Sequence, residues 1–302
     1  MVSISPINSS VPAPMGVEST QRVRDIVAAA TLADRVAPLG EQAVAAIGRP
    51  GISEFTVSSG DDVVGYANVQ PSRDGEPAMI ELVVDPEHRQ QGHGKRLLTT
   101  VLGQVEGDRR VWAHGDLPAA SALAEDMGLT PLRELLQLRR PLTDPLPDLL
   151  VPDDLVLRTY AGPTDDPEIL RVNNAAFAWH PEQGGWSAEQ IDERTGSDWF
   201  DAAGVFLAFD AADPDRLLGF HWTKVHPAEG DTAELGEVYI VGVDPAAQGR
   251  GLGRILTLAG LHHLRDLGLG EVELYVEGDN TAALNTYNKL GFTRYAIDVA
   301  YG

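Results

Sequence analysis

Two stretches of the sequence carry the same signature, VVDPEHRQQGHGKRLL at Val83–Leu98 and VGVDPAAQGRGLGRILT at Val241–Thr257. A shift of 159 residues superposes Asp85 on Asp244, together with the following proline, two glycines and a leucine. An internal match of this length, at the same place in each half, predicts two copies of one domain. In each copy an apolar strand leads into a Gly-rich turn and then a helix, an arrangement suited to holding a phosphate group.

The length of 302 residues fits two domains of about 150 residues each. Residues 1–19 are rich in Ser and Pro and predict a disordered tail. An N-terminal domain is expected over residues 20–140, and its first helix over Thr20–Leu39. Four prolines between residues 140 and 154 predict a linker over 141–153, and the C-terminal domain follows over 154–302. The order of elements in each half, hairpins and then βαβαβ, predicts a mixed α/β fold.

The composition excludes several classes of function. The chain has no cysteine, so disulfides, a thiol nucleophile and thiolate metal ligands are excluded. The net charge of −22 predicts repulsion from nucleic acids and anionic membranes. The eight histidines show no HExxH pattern, so no catalytic metal is expected. No apolar run is long enough to span a bilayer and no signal peptide is evident, which favours a cytoplasmic location.

The glycines of the signature have a specific chemistry. Glycine lets the backbone approach a ligand closely and adopt a positive φ, and the N-terminus of the following helix presents N–H groups to an anion. Together they favour a pyrophosphate site. One alternative is a Gly-rich helix start that binds nothing. The other is a Rossmann-type dinucleotide site, which is disfavoured because the signature follows the third or fourth strand of each half and not the first.

The arrangement R/Q-x-x-G-x-G, present in both halves, resembles the acetyl-CoA site of the GNAT superfamily of N-acetyltransferases. The resemblance implies two tandem domains, each with a mostly antiparallel central sheet flanked by helices, and acetyl-CoA as co-substrate, with as many as two molecules bound, one per domain. In that family the strand before the glycines pairs with the pantetheine arm. Carried over, the cofactor-binding residues in the first half are Leu82, Val83, Val84, Gln90, Gln91, Gly92, His93, Gly94 and Lys95. Those in the second half are Val241, Gly242, Val243, Gln248, Gly249, Arg250, Gly251, Leu252, Gly253, Arg254, Asn280, Thr281, Ala282, Ala283, Leu284 and Asn285.

Groups for proton transfer are expected in the second half alone. Acetyl transfer needs a neutral amine, so a positioned base helps, and an acid can protonate the departing thiolate. The strand before the second signature contains Glu237, which the period-2 rule places on one face with Tyr239 and Val241. The segment from Asn280 matches the family pattern N-x-x-A-x-x-x-Y-x-x-x-G-F, so the resemblance assigns Tyr287 as the acid and Glu237 as the base.

The first half lacks both groups at the corresponding positions. The shift of 159 residues places Ala78 at the position of Glu237. Ala124 lies four residues before Gly128, just as Tyr287 lies four residues before Gly291. We therefore expect chemistry in the C-terminal domain and a structural, regulatory or vestigial site in the N-terminal domain. An edge-strand Glu that faces water is the alternative interpretation of Glu237.

Longer segments, among them HPEQGGW from His180, LGFHWTKVHP from Leu218 and LGEVY from Leu235, resemble the mycothiol synthase family of tandem GNAT enzymes. That resemblance implies acetylation of the cysteinyl amine of Cys-GlcN-Ins, a small amino-sugar/inositol substrate. The acidic net charge predicts no nucleic-acid or membrane partner, and a monomer is expected. The substrate-binding residues that the resemblance implies are Glu41, Glu182, Lys224, Glu237 and Tyr275. Because Glu41 lies in the first half, a contact from it would place the active site between the domains. Solvated or packing roles remain open for Glu41, Lys224 and Tyr275.

Two other functions remain open from the sequence. A tandem GNAT enzyme could instead acetylate a peptide N-terminus or an aminoglycoside. A non-catalytic acyl-CoA sensor with two binding sites is the alternative from a different class, and the presence of Glu237 and Tyr287 disfavours it.

Overall fold

The computed structural model describes residues 2–6, 15–49, 52–72, 77–178, 183–228 and 233–302. The chain divides into two compact units. The first contains Met1–Leu135 together with Ala296–Gly302, and the second contains Leu136–Tyr295. Each unit has a central sheet with helices, so the predicted mixed α/β class is confirmed.

The first unit is built on a sheet in the order β1-β2-β3-β4-β5-β12. Its neighbouring strands pair antiparallel except β4 and β5, which pair parallel. The strands are β1 (Val2–Pro6), β2 (Ser53–Ser59), β3 (Asp62–Gln70), β4 (Ala78–Val84), β5 (Arg109–Ala113) and the end of β12 (Thr293–Tyr301). The helices are α1 (Val17–Asp34), α2 (Glu41–Ala46), α3 (His93–Leu102) and α4 (Pro118–Asp126).

The second unit repeats this plan with the strand order β6-β11-β10-β9-β8-β7. Here too one pair, β10 with β11, is parallel. The strands are β6 (Pro131–Pro141), β7 (Leu155–Thr159), β8 (Val205–Asp210), β9 (Asp213–His226), β10 (Leu235–Val243) and β11 (Glu271–Glu277). The helices are α5 (Asp166–Ala176), α6 (Ala188–Thr195), α7 (Leu252–Asp266) and α8 (Thr281–Lys289).

Apolar side chains cover both faces of each sheet. In the first unit, Val23 and Ile26 of α1 pack on Tyr66 and Val83, and Leu97 and the rest of the apolar face of α3 pack on the other side. In the second unit, α5 and α6 cover one face and α7 and α8 cover the other. The sheets are therefore rigid platforms for residues at their strand ends.

The start of the chain departs from the predicted tail. Val2–Pro6 form β1, which pairs antiparallel with β2 from Val2 opposite Ser59 to Pro6 opposite Phe55. The segment VSISP contains two β-branched residues, and its backbone satisfies the N–H and C=O groups that β2 would otherwise leave unpaired at the sheet edge. Residues 7–14 of the predicted tail lie outside the described residues. Helix α1 begins at Val17 and ends at Asp34, where Arg35 adopts a left-handed φ of 57°.

The predicted domain boundaries also differ from the compact units. Residues 141–153 contain no helix, and their strand content is limited to Pro141 at the end of β6. This stretch is nevertheless packed, because Leu142 is buried in the core of the second unit and its N–H donates to the Gly270 carbonyl at 2.9 Å. The last seven residues cluster with the first unit, since Val299–Tyr301 pair with β5.

The parallel strand pairs separate soon after they begin. Strands β4 and β5 pair from Ala78 to Ile80, whereas β10 and β11 pair only at Gly236 and Glu237. Beyond these points the two strands of each pair form no ladder with one another. A gap between two parallel strands leaves backbone groups free for an extended ligand.

A β-bulge distinguishes β10 from β4. The register of β10 against β9 shifts between Val238 and Ile240, whereas β4 pairs with β3 in one uninterrupted register. The bulge breaks the period-2 alternation. Tyr239 packs on the α5 side of the sheet, but Val241 packs on the α7 side with Val238. The prediction that Glu237, Tyr239 and Val241 share a face is therefore wrong for Val241.

Candidate active site

The aspartate of each glycine signature is held in the same way. A carboxylate oxygen of Asp85 accepts from the N–H two residues later at 3.1 Å, and Asp244 does so at 2.9 Å. An arginine from the first long helix of the unit then binds the other oxygen, with Arg22 2.6 Å from Asp85 and Arg171 2.7 Å from Asp244. Burial alone would raise the pKa of both aspartates, but these hydrogen bonds and charges outweigh it and lower both pKa values.

The glycines that follow have the conformations that the motif predicts. Gly92 (φ 81°) and Gly251 (φ 77°) immediately precede α3 and α7, and Gly249 has a φ of 81°. A Cβ built on any of the three meets no atom within 4 Å. The space in front of each helix N-terminus is therefore open, and the free N–H groups there suit a pyrophosphate.

A cavity of about 800 Å³ lies in the first unit in front of its glycine signature. Most of the predicted cofactor residues of this half line it: Leu82, Val83, Val84, Gln90, Gly92, His93, Gly94 and Lys95. Its other walls come from the end of β5, from α4 and from Tyr301. The volume is in the range of small-molecule and cofactor sites. Gln91 is exposed and is absent from the cavity lining.

His93 is an unusual member of this lining. Its side chain is 3% exposed, and neither ring nitrogen has a hydrogen-bond partner among the described residues. Burial lowers its pKa, which favours the neutral ring. Buried polar atoms without partners are rare in folded proteins, so this orphaned ring fits a cavity that a polar ligand fills.

The signature of the second unit presents mainly backbone to its opening. Leu252 is buried in the core, so only its N–H can face a ligand. The Arg250 guanidinium binds Asp154 at 2.7 Å, whereas Arg254 is exposed. Asn280 is the N-cap of α8, and its side-chain oxygen accepts from the Ala283 N–H at 3.2 Å, which fixes the N-terminal turn of the predicted 280–285 segment. In that segment Thr281, Ala282 and Asn285 are exposed, and Ala283 and Leu284 pack on the core.

Glu237 lies where β10 and β11 separate. It is 8% exposed, so it is not a solvated edge-strand carboxylate. Its Oε2 lies 2.8 Å from Nε2 of His226, and Lys224 is its cross-strand neighbour on β9. The ammonium of Lys224 lies over the rings of Trp199 and Tyr239, at 5.3 and 5.7 Å from their centroids. The predicted residues Glu237 and Lys224 are thus brought together on one face of the sheet.

A second buried carboxylate, Glu273, stands beside Glu237. It is 5% exposed, and burial raises its pKa even though Arg139 opposes that shift. Nη2 of Arg139 lies 2.8 Å from Glu273, and the side-chain amide of Gln137 donates to Glu273 at 2.7 Å and to the Tyr275 hydroxyl at 3.1 Å. The predicted substrate residue Tyr275 is therefore connected to this carboxylate pair, and the residue is 46% exposed.

Tyr287, the predicted acid, lies on α8. It is half-buried and packs edge-on against Phe292, with ring centroids 5.7 Å apart. Its hydroxyl makes no hydrogen bond to another described residue, and burial raises its pKa to about 12. The group is therefore a protonated donor at neutral pH with its hydrogen free for a ligand atom.

Two predicted substrate residues, Glu41 and Glu182, have no described contact with the Glu237 site. Glu41 is exposed in the first turn of α2. Glu182 lies outside the described residues. Their contacts with an acceptor remain predictions.

Sequence reasoning missed His226, Glu273 and Arg139. His226 follows Lys224 by two residues on β9, so the period-2 rule places both on one face, and this signal could have identified it. Glu273 and Arg139 have no such signal, because they approach Glu237 through the order of β6, β11 and β10 in the sheet.

The first unit has a different set of charged residues at its strand ends. Ala78 and Ala124 are both buried and carry no proton-transfer group. His114, at the end of β5, lies 3.1 Å from both Glu81 and Asp298. Burial opposes the charge on His114, but the two carboxylates outweigh it and raise its pKa to about 9. Each N–H group of the imidazolium thus faces a carboxylate, and neither nitrogen has a lone pair with which to accept a proton.

Two negative findings concern the described residues. Within them no group of three or more His, Asp or Glu side chains is placed to hold a metal ion. In the same part of the chain, no helix combines the length and apolarity that crossing a membrane requires.

The sequence model of the acetyltransferase (GNAT) family matches residues 26–129 and again residues 172–292. The chain belongs to this family of acetyl-CoA-dependent acetyltransferases. The two matches account for the repeat, since each covers one glycine signature.

Curated relatives extend over nearly the whole chain. A mycothiol acetyltransferase from Gordonia bronchialis is 65% identical, and the match covers 95% of this chain and 93% of the relative. Mycothiol acetyltransferases from Rhodococcus erythropolis and Mycolicibacterium smegmatis are 59% and 53% identical, at coverages of 94% and 92% of this chain and 95% and 93% of the relatives. The chain belongs with these mycothiol acetyltransferases within the GNAT family.

Solved structures show the same fold at low identity. A tandem GNAT protein from the clavulanic acid biosynthesis pathway aligns with a TM-score of 0.70 at 18% identity, covering 100% of this chain and 98% of that one. A GCN5-related N-acetyltransferase from Sphaerobacter thermophilus gives a TM-score of 0.71 at 20% identity, covering 99% and 94%. The predicted tandem GNAT fold is confirmed.

Proposed function

We propose that this enzyme transfers the acetyl group of acetyl-CoA to the cysteinyl amine of Cys-GlcN-Ins, giving mycothiol and CoA. The observation that carries the proposal is the buried Glu237, held beside His226 where β10 and β11 separate. The names of the relatives that match over the full chain support the acceptor.

The proposed chemistry needs one base and one acid. Glu237 takes a proton from the substrate ammonium, and the neutral amine attacks the thioester carbonyl carbon. The C–N bond forms, the C–S bond breaks and the nitrogen loses a second proton, which balances the one that Tyr287 gives to the sulfur. Tyr287 donates its hydroxyl proton to the departing sulfur and is reprotonated. The net products are the amide, the CoA thiol and one proton released to water.

The side chains around Glu237 suit a polar, cationic acceptor. The ammonium group enters a region with two buried carboxylates, Glu237 and Glu273, balanced by Arg139. The acceptor substrate carries many hydroxyls. Carboxylates can accept hydrogen bonds from them, and the ammonium of Lys224 can donate to them. We place Tyr275, Glu41 and Glu182 among the further acceptor contacts.

A second acetyl-CoA is proposed for the first unit. The cavity beside Gly92 and the orphaned His93 ring support binding there. Chemistry is not expected, because Ala78 and Ala124 occupy the positions of the base and acid. The Glu81–His114–Asp298 cluster does not replace them, since both N–H groups of the His114 imidazolium already donate to carboxylates.

The test is an assay of the purified full-length chain with acetyl-CoA, in which the acetylated product is quantified by mass spectrometry. Cys-GlcN-Ins is compared with a peptide N-terminal amine and an aminoglycoside at equal concentrations. Preference for Cys-GlcN-Ins is expected. Preference for either other amine would overturn the acceptor assignment, and binding of acetyl-CoA without turnover of any amine would instead favour the sensor.

A further inference from the structure

His226 stands between the proposed base and solvent. Its Nε2 lies 2.8 Å from Oε2 of Glu237, whose side chain is 10% exposed, whereas the His226 side chain is 27% exposed. The other ring nitrogen, Nδ1, makes no hydrogen bond to another described residue. The imidazole therefore contacts the buried carboxylate with one nitrogen and leaves the other available to water.

The charges around this pair come from four strands. Glu237 lies on β10, Glu273 faces it from β11 and Lys224 shares β9 with His226. Arg139 of β6 is bound to Glu273 and offsets its charge. The ammonium of Lys224 lies over the rings of Trp199 and Tyr239.

Turnover requires that a proton leave this buried position. An ammonium acceptor and a thioester give an amide, a thiol and one proton in excess, and Glu237 receives that proton. The Glu237 side chain is only 10% exposed, so a neighbouring group that reaches water can speed the loss of its proton. Histidine is the side chain that exchanges protons with water most readily near neutral pH.

We propose that His226 carries the proton from Glu237 to solvent after each acetyl transfer, an inference that rests on the proposed function of Glu237. The proton moves from the Glu237 carboxyl to Nε2, giving an imidazolium, and a proton leaves Nδ1 for water or buffer. Exchange with water then restores the starting tautomer. His226 acts through Glu237, so it is a positioning and relay residue and not a catalytic one.

Another His–carboxylate pair in the same unit has the opposite pattern of exposure. His263 lies 3.1 Å from Asp201, but there the carboxylate is the exposed partner, at 49%, and the histidine is at 17%. That carboxylate reaches water directly and needs no carrier. His263 is therefore a matched control.

The experiment compares His226→Gln, His226→Ala and His263→Gln in the full chain, with folding checked by circular dichroism and thermal melting. His226→Gln keeps a side chain that can hydrogen-bond to Glu237 but cannot carry a proton, so we expect kcat to fall roughly tenfold or more with little change in KM. Added imidazole should restore part of kcat in His226→Ala, because the ring site opens to solvent. His263→Gln should have the same kcat and KM as the enzyme without substitutions.

Two outcomes separate the relay from the function on which it rests. If His226→Gln keeps full kcat, or if imidazole leaves His226→Ala unchanged, His226 has a structural role and the relay is wrong. If Glu237→Gln also keeps full kcat, the base assignment itself fails. A loss in Glu237→Gln with no loss in His226→Gln rejects the relay alone.

Discussion

Glu237 and Glu273 are direct neighbours in the parallel register of β10 and β11, and both side chains are buried. Two ionised carboxylates on neighbouring residues of adjacent strands repel one another unless other groups compensate for their charge. Here His226 binds Glu237, while Arg139 and Gln137 bind Glu273. The site thus holds one carboxylate for chemistry and a second that is tied to the sheet.

The first prediction concerns the base. Glu237→Gln keeps the size and a hydrogen bond but removes the proton acceptor, so kcat should fall about 10²- to 10⁴-fold. Binding of acetyl-CoA, measured by calorimetry, should change little. Glu234→Gln is the matched control, because Glu234 is an exposed carboxylate just before the same strand. Equal losses in the two variants would contradict a specific role for Glu237.

The second prediction concerns the support of Glu273. Arg139→Met removes the cation and leaves two buried carboxylates together, so the free energy of unfolding should fall by about 2 kcal/mol. Burial already raises the pKa of Glu273, and losing Arg139 raises that pKa further. The loss of unfolding free energy in Arg139→Met should therefore be largest near neutral pH. It should shrink as the pH falls and Glu273 is protonated. Urea unfolding at several pH values measures it, and a deficit that grows in acid would contradict this account.

The third prediction concerns the acid. Tyr287→Phe should lower kcat roughly 100-fold, because the thiolate then leaves without a proton donor. Stability should hardly change, since the hydroxyl binds no other described residue. With a pKa of about 12, the hydroxyl stays protonated between pH 6 and 10, so Tyr287 contributes no alkaline loss of kcat in that range. Thermal melting and the pH dependence of kcat provide the two measurements.

The repeat and the glycine conformations were predictable from the sequence, because residue type and local spacing determine them. The positive φ at Gly92 and Gly251 is a property of the motif itself. The strand pairing of the first residues was not predictable, since VSISP gains its structure only from the free edge of β2.

The order of strands in the sheet explains why other contacts of the site could not be predicted from the sequence. Glu273 and Arg139 reach Glu237 from β11 and β6, and no spacing along the chain indicates that they meet. The last strand is similar: Asp298 binds His114, which is 184 residues earlier. The bulge at Tyr239 also has no signal in the alternation of apolar residues, so the face of Val241 was predicted incorrectly.

The fourth prediction follows from the cluster in the first unit. The folded-state pKa of His114 is about 9, above its ordinary value of 6.5. Its stabilising contribution is therefore complete below about pH 6.5 and is lost as the pH rises through 9. His114→Gln should cost about 2 to 3 kcal/mol near pH 6 and much less near pH 10. Urea unfolding of both proteins across this range measures the difference, and a constant difference would show that His114 is not charged in the folded state.

The fifth prediction uses the repeat as its own control. Gly92→Ala and Gly251→Ala impose the same strain, since both glycines have a φ near 80° and open space beyond them, and each should cost about 1 to 2 kcal/mol of stability. Their effects on function should differ. Gly251→Ala should raise the KM for acetyl-CoA, because it alters the anion site beside Glu237 and Tyr287. Gly92→Ala should reduce the number of acetyl-CoA molecules bound per chain, measured by calorimetry, and leave kcat nearly unchanged. The reverse pattern would show that the two units have been assigned the wrong roles.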